Sequence, residues 1–231
     1  MRRALAFVLL TVVLSAGALA SGAVGTSNAN TRGVVLFVGD SNITLGAAAI
    51  DWTLTWMQHN DNGYVPVLAS RVGAAIRTPD CLDSTSCTHF NYWKLKLATI
   101  LPKVDTDMIV NDLGINDTKD DGTATTPGYA HYDDKINWFM NLVNGKRVLW
   151  TNLPCAIEPP ARATGCRAVN DALAQAPRRW PNLTVLAWDA VANSHPDYMA
   201  SRGSDVHYSA TGEAAWSDFV VAALDARSPA P

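Results

Sequence analysis

Five short apolar runs, separated by stretches of helical periodicity, limit this chain more than any other feature. They cover residues 34–38, 65–72, 108–110, 147–151 and 183–188, and are rich in Val, Leu, Ile, Phe and Trp. Helical patterns occupy residues 44–58, 92–101, 129–143, 163–178 and 210–226. Strands that read as continuous apolar runs are buried on both faces, and strands alternating with helices pair in parallel. The pattern predicts a three-layer α/β/α sandwich around a central parallel sheet of about five strands. Residues 32–227 read as one domain of ordinary size, with no internal repeat and no long linker.

In such a sheet the chemistry collects in the loops beyond the carboxyl ends of the strands. Every unusual polar cluster of the chain falls on that edge. The first run stops at Gly39-Asp40-Ser41-Asn42, the second leads to Gly73, and the third to "NDLGINDTKDDG" at residues 111–122. The fourth is followed by "NLPCAIEPPARATGC", and the last helix is preceded by "SDVHYSATG" at residues 204–212. A plain βα loop needs only a cap for the next helix. A serine at the handover is also the place for a nucleophile, because backbone N–H groups and the positive end of the helix dipole face its hydroxyl.

A serine needs a base within hydrogen-bond reach. Of the five histidines, His59 and His131 sit on or beside helices, His89 lies among cysteines and His195 in a Pro-rich turn. His207 directly precedes the last helix and has Asp205 two residues before it, which is the arrangement of a base with its orienter. Attack on an ester carbonyl also calls for donors to the developing oxyanion. Gly73, whose backbone N–H can approach closely, and Asn116, whose amide can point inward, lie on the same edge. Taken singly, Gly73 reads as a strand exit and Asn116 as an Asx turn.

Taken together, these pieces resemble the SGNH, or GDSL-like, hydrolase superfamily over residues 34–225. The first block reads "FVGDSN", the third "LGIND" and the last "DVHYS"; the second rests on Gly73 in "SRVGAAI". The resemblance implies a flavodoxin-like SGNH hydrolase fold. It implies Ser41 as nucleophile, His207 as base, and Ser41, Gly73 and Asn116 as the oxyanion hole. It calls for no metal and no cofactor. The G-x-S-x-G elbow of the α/β-hydrolases is absent from the chain. One departure concerns the last block, which the family usually writes D-x-x-H. Here Ser204 stands three before His207 and the aspartate is Asp205. On an extended segment residues two apart share a side, so Asp205 meets the imidazole; in a turn it misses and leaves a Ser–His dyad.

The first residues predict export. Met1-Arg2-Arg3 is a basic start, residues 4–20 are apolar and end on Ala18-Leu19-Ala20, and Ser27-Asn28-Ala29 offers a second cleavage point. Residues 1–29 therefore read as a signal peptide cleaved after Ala20 or Ala29, an uncleaved anchor being the alternative, and the protein as secreted. No later run is long enough to span a membrane. The four cysteines suit an oxidising compartment. They allow three pairings, of which short closed loops favour Cys81–Cys87 with Cys155–Cys166. A zinc site lacks both C-x-x-C spacing and a histidine cluster. A net charge of −3 without a basic stripe gives no footprint for nucleic acid. The expected partner is a small-molecule or carbohydrate ester. The expected activity is that of a serine esterase or acyl hydrolase. An O-acyltransferase or deacetylase acting on cell-wall or other carbohydrate is the alternative within enzymes, and a non-catalytic carbohydrate-binding module the alternative outside them. The eight tryptophans stand mostly at helix or strand positions and read as core, with Trp93, near the cysteine loop, a minor candidate for facing substrate. Residues 117–122 only partly match a calcium loop, because Lys119 stands at a ligand position.

Overall fold

The computed structural model describes residues 33–44, 63–76, 92–119, 131–200 and 206–227. Within them lie five strands: β1 (Gly33–Gly39), β2 (Tyr64–Ser70), β3 (Thr106–Asn111), β4 (Arg147–Thr151) and β5 (Leu183–Leu186). They form one sheet in the order β2-β1-β3-β4-β5, with every pairing parallel. The helices are α1 (Ser41–Thr44), α2 (Tyr92–Ile100), α3 (Tyr132–Leu142), α4 (Ala163–Gln175), α5 (Trp188–Ala192) and α6 (Ala210–Asp225). The α/β/α expectation with a five-stranded parallel sheet holds.

Burial on both faces follows from the alternation of side chains along a strand. In β1, Val35 and Phe37 pack on one face with Trp188, Trp216, Val220 and Leu224 of α5 and α6. Leu36 and Val38 pack on the other with Trp93, Ile136, Phe139, Val169 and Leu173 of α2, α3 and α4. This two-sided covering is what makes the sequence of the strand continuously apolar.

Element ends moved by a few residues, and one segment changed type. Residues 183–188 read as a single strand, but the strand stops at Leu186 and Trp188 opens α5. An indole and a β-branched run favour a strand locally, whereas burial of Trp188 against α6 selects the helix turn. Of the helix predicted over 44–58, only its start is among the described residues. Short 3₁₀ turns at Ile115–Lys119, Pro160–Arg162 and Pro196–Tyr198 were not expected.

The strand order reverses direction between β1 and β3. Helices leave the sheet toward opposite faces there, which opens a crevice at the carboxyl ends of these two strands. The loops that bear Ser41 and Asn116 are the walls of that crevice.

Candidate active site

The first wall is built around Gly39 and Asp40. Gly39 ends β1, and a Cβ there would lie 2.3 Å from Cδ1 of Ile43, so the glycine lets α1 fold its buried Ile43 back onto the strand. Asp40 is fully buried. Its Oδ1 accepts the Asn42 backbone N–H at 2.9 Å, which buttresses the turn. Its Oδ2 accepts Nδ2 of Asn116 at 3.0 Å, a link across 76 residues that spacing could not show. Burial raises the Asp40 carboxyl well above the usual carboxylate range, and the nearby Asp112 adds to the shift. The Asn42 and Asn116 donors oppose it by favouring the anion.

Ser41 begins α1, and its Oγ lies 3.0 Å from Nε2 of His207. The segment that carries His207 is clamped to residues 197–200. Ala200 N–H donates to the His207 carbonyl at 2.8 Å, Tyr208 forms an antiparallel bridge with Met199, and Ser209 N–H donates to the Tyr198 carbonyl at 2.8 Å. The Ser209 hydroxyl donates to the Asp197 carbonyl at 2.6 Å and accepts the Gly212 N–H at 3.1 Å, capping α6. Gly212 is pressed against this clamp: a Cβ would fall 2.1 Å from the Tyr198 carbonyl oxygen. Asp205, the expected orienter of His207, lies outside the described residues, as do Cys81 and Cys87.

The second wall holds Asn116 through a loop with its own supports. Asn111 Oδ1 accepts the Leu113 N–H at 3.0 Å, and the Trp150 indole donates to the Leu113 carbonyl at 2.8 Å. Nδ2 of Asn116 donates to Asp40 Oδ2 and, also at 3.0 Å, to the Ala74 carbonyl. An amide nitrogen carries two hydrogens, so both are engaged. Gly73 is exposed, with φ +70°, at the third position of a turn closed by Ala74 N–H to the Arg71 carbonyl at 3.1 Å. Positive φ at that position alone defines a type II turn and favours glycine. Gly73 therefore adjoins the residue that Asn116 grips.

Other expectations resolve differently. Trp93 does not face substrate. It is completely buried, and its indole N–H donates to the Ala75 carbonyl at 2.9 Å, because a large ring gains more from the core than from a wet rim. Cys155 and Cys166 form a disulfide with Cα atoms 5.6 Å apart, tying the loop after β4 to α4. Asp117, first in the calcium-like run, spends its two oxygens on Lys135 and Ile76. Among the described residues no cluster of His, Cys, Asp or Glu is arranged to hold a metal ion, and no helix is long and apolar enough to cross a membrane.

Sequence reasoning passed over Asp112. It lies directly behind the crevice and is buried, with the Thr151 hydroxyl bonded to Oδ1 and the Trp216 indole N–H against the carboxyl. Burial pushes its carboxyl up to about 7. Tyr208 is buried nearby, its hydroxyl pushed up by burial and by Asp112, Glu158 and Asp40. A charged residue immediately beyond β3 was the available signal for Asp112, since the same edge had already yielded Asn116.

No protein-family model and no curated protein matches the chain. Solved structures do. A lipase/acylhydrolase from Enterococcus faecalis is 14% identical with a TM-score of 0.62, over 86% of this chain and 99% of that one. The C-terminal catalytic domain of Streptococcus pneumoniae peptidoglycan O-acetyltransferase A, with a methylsulfonyl adduct, is 17% identical with a TM-score of 0.56, over 84% and 93%. A protein described as a GDSL-like lipase, from Parabacteroides merdae, is 12% identical with a TM-score of 0.58, over 84% and 96%. The chain has the fold of the SGNH, or GDSL-type, hydrolases.

Proposed function

We propose that the chain is a secreted serine esterase or acyl hydrolase that cleaves carboxylic esters through a Ser41 acyl-enzyme. The observation that carries this reading is the 3.0 Å contact between Ser41 Oγ and His207 Nε2, made at a helix start across 166 residues of sequence. A neutral imidazole at that distance accepts the hydroxyl proton as Oγ attacks the carbonyl carbon. Asp205, two residues before it in the sequence, is the residue we assign to orient the ring. The carbonyl oxygen becomes an oxyanion that accepts the Ser41 and Gly73 backbone N–H groups. It also takes the place of the Ala74 carbonyl at one hydrogen of Asn116, while Asp40 keeps the other and holds the amide in line. Collapse expels the alcohol, which leaves with the proton from His207. Water, deprotonated by the same imidazole, then releases the acid.

The likeness to a peptidoglycan O-acetyltransferase domain supports a second reading, transfer of the acyl group to a sugar hydroxyl. The two differ only in the nucleophile that resolves the acyl-enzyme. A carbohydrate-binding module has no use for the Ser41–His207 contact. The basic start and apolar run of residues 1–20 support export.

Labelling with a fluorophosphonate, followed by peptide mapping, is expected to find the adduct on Ser41. Ser41→Ala is expected to lose p-nitrophenyl acetate hydrolysis by about 10³-fold or more while melting as wild type does. A folded Ser41→Ala with full activity overturns the reading. Adding a chitooligosaccharide and measuring acylated sugar against free acid separates transfer from hydrolysis.

A further inference from the structure

Residues 74–76 belong to no strand or helix, yet a side chain from elsewhere grips each of them. The Ala74 carbonyl accepts from Asn116 at 3.0 Å, and the Ala75 carbonyl from the Trp93 indole at 2.9 Å. The Ile76 N–H donates to Asp117 Oδ2 at 2.8 Å. Two of the three grips thus come from adjacent residues of "GIND", one of them the proposed oxyanion donor.

Asp117 is itself held from α3. Nζ of Lys135 lies 2.9 Å from Asp117 Oδ1, with both side chains buried. The Tyr132 hydroxyl, from the preceding turn of the same helix, donates to the Asp117 carbonyl at 3.2 Å. Lys135 is the only buried Lys or Arg among the described residues. Its presence is hard to explain by stability. Removing an ammonium and a carboxylate from water is costly, and apolar replacements of such a pair are often as stable or more so. An ion pair does something an apolar pair cannot: it fixes the plane of the carboxylate. With Oδ1 taken by Lys135, Oδ2 is aimed at the Ile76 N–H.

We propose that Lys135 is a positioning residue for the oxyanion loop: through Asp117 it fixes residues 74–76, and with them Gly73 and the Ala74 carbonyl, relative to Asn116. The proposal rests on the Ser41 reading for its catalytic consequence. The loop matters most when the oxyanion forms, because the Ala74 carbonyl must yield an Asn116 hydrogen while Gly73 N–H stays in place. Disturbing the far end of the loop therefore affects the transition state more than ground-state binding.

The test compares wild type, Lys135→Met, Lys135→Arg and the double variant Asp117→Asn/Lys135→Met, which leaves no unpaired buried charge if the single one fails to fold. Two readouts are taken: p-nitrophenyl acetate kinetics, and native-state hydrogen exchange at the Ile76 amide. The expected result for Lys135→Met is a fall in kcat of about 10- to 100-fold, less than the loss of a direct oxyanion donor, with KM within about twofold. Ile76 exchange should quicken by about tenfold or more, and Lys135→Arg should recover most of both. The double variant should keep the kcat defect. Wild-type kcat and Ile76 protection in a folded Lys135→Met or double variant overturn the proposal, as does an arginine variant no better than methionine. An inactive wild type overturns the Ser41 reading instead, and the exchange comparison then decides the positioning by itself.

Discussion

Replacing Asp112 by asparagine should make the stability of this protein much less sensitive to pH. The carboxyl is 3% exposed and bonded to the Thr151 hydroxyl, and its surroundings hold it at about 7 against an ordinary 3.8. Burial is the largest cause; the Thr151 hydroxyl and the Trp216 indole N–H partly offset it. A carboxyl raised in the folded state keeps its proton there after the unfolded chain has lost it. Stability therefore falls as pH rises through the window from about 4 to about 7, and the loss is complete above it. Integrating the two titrations from pH 5 to pH 8 gives a loss of about 2 to 3 kcal/mol for this one group. Asp112→Asn removes that loss. It also removes one of the charges that raise Asp40, which acts in the same direction. Any cost of packing the new amide does not vary with pH and cancels in the comparison. Urea unfolding of both proteins at pH 5 and pH 8 measures the difference. At about 2 kcal/mol per molar, the wild-type midpoint should drop by about 1 M more than that of the variant. Parallel pH profiles for the two proteins would refute the reasoning, because they require Asp112 to be charged and satisfied throughout the range.

Gly212→Ala must push the Tyr198 carbonyl away from a Cβ that would sit 2.1 Å from it. Since residues 197–200 carry the His207 segment, both thermal stability and ester hydrolysis should fall, by about 1–3 kcal/mol and at least about tenfold; an unchanged kcat would detach the clamp from the base. Removing the Cys155–Cys166 disulfide, whose cysteines are 11 residues apart, should cost about 3 kcal/mol in the loop-entropy account, read as a lower urea midpoint for Cys155→Ala/Cys166→Ala than for the wild type under non-reducing conditions. His207→Ala should abolish activity, whereas Asp205→Asn should lose about ten- to a thousandfold, less than the orienter of a well-formed triad. Activity of Asp205→Asn equal to wild type would make the site a Ser–His dyad.

The apolar periodicity of this chain determined the sheet, because a strand covered on both faces has to be apolar at every position. It determined the parallel pairing too, since each strand is followed by a helix that must cross back. The position of the candidate site was also legible: polar residues at the carboxyl ends of buried strands mark the loops, and Ser41, Asn116 and His207 all occupy them. What the linear pattern could not carry was contact between distant residues. Nothing in the spacing of Asp40, Ala74 and Asn116 shows that one amide serves two acceptors, and nothing in a helical lysine shows that Lys135 is buried against Asp117. Trp188 misled for the same reason, because an aromatic ring has similar local preferences in a strand and a helix. Asp112 was passed over because its raised carboxyl follows from burial beside Asp40, Thr151 and Trp216, which come from three other elements or their ends. Periodicity is a property of neighbours along the chain, and so it reports which face is covered. Hydrogen-bond partners and ionisation depend on which side chains the crossovers bring together, and only the tertiary structure decides that.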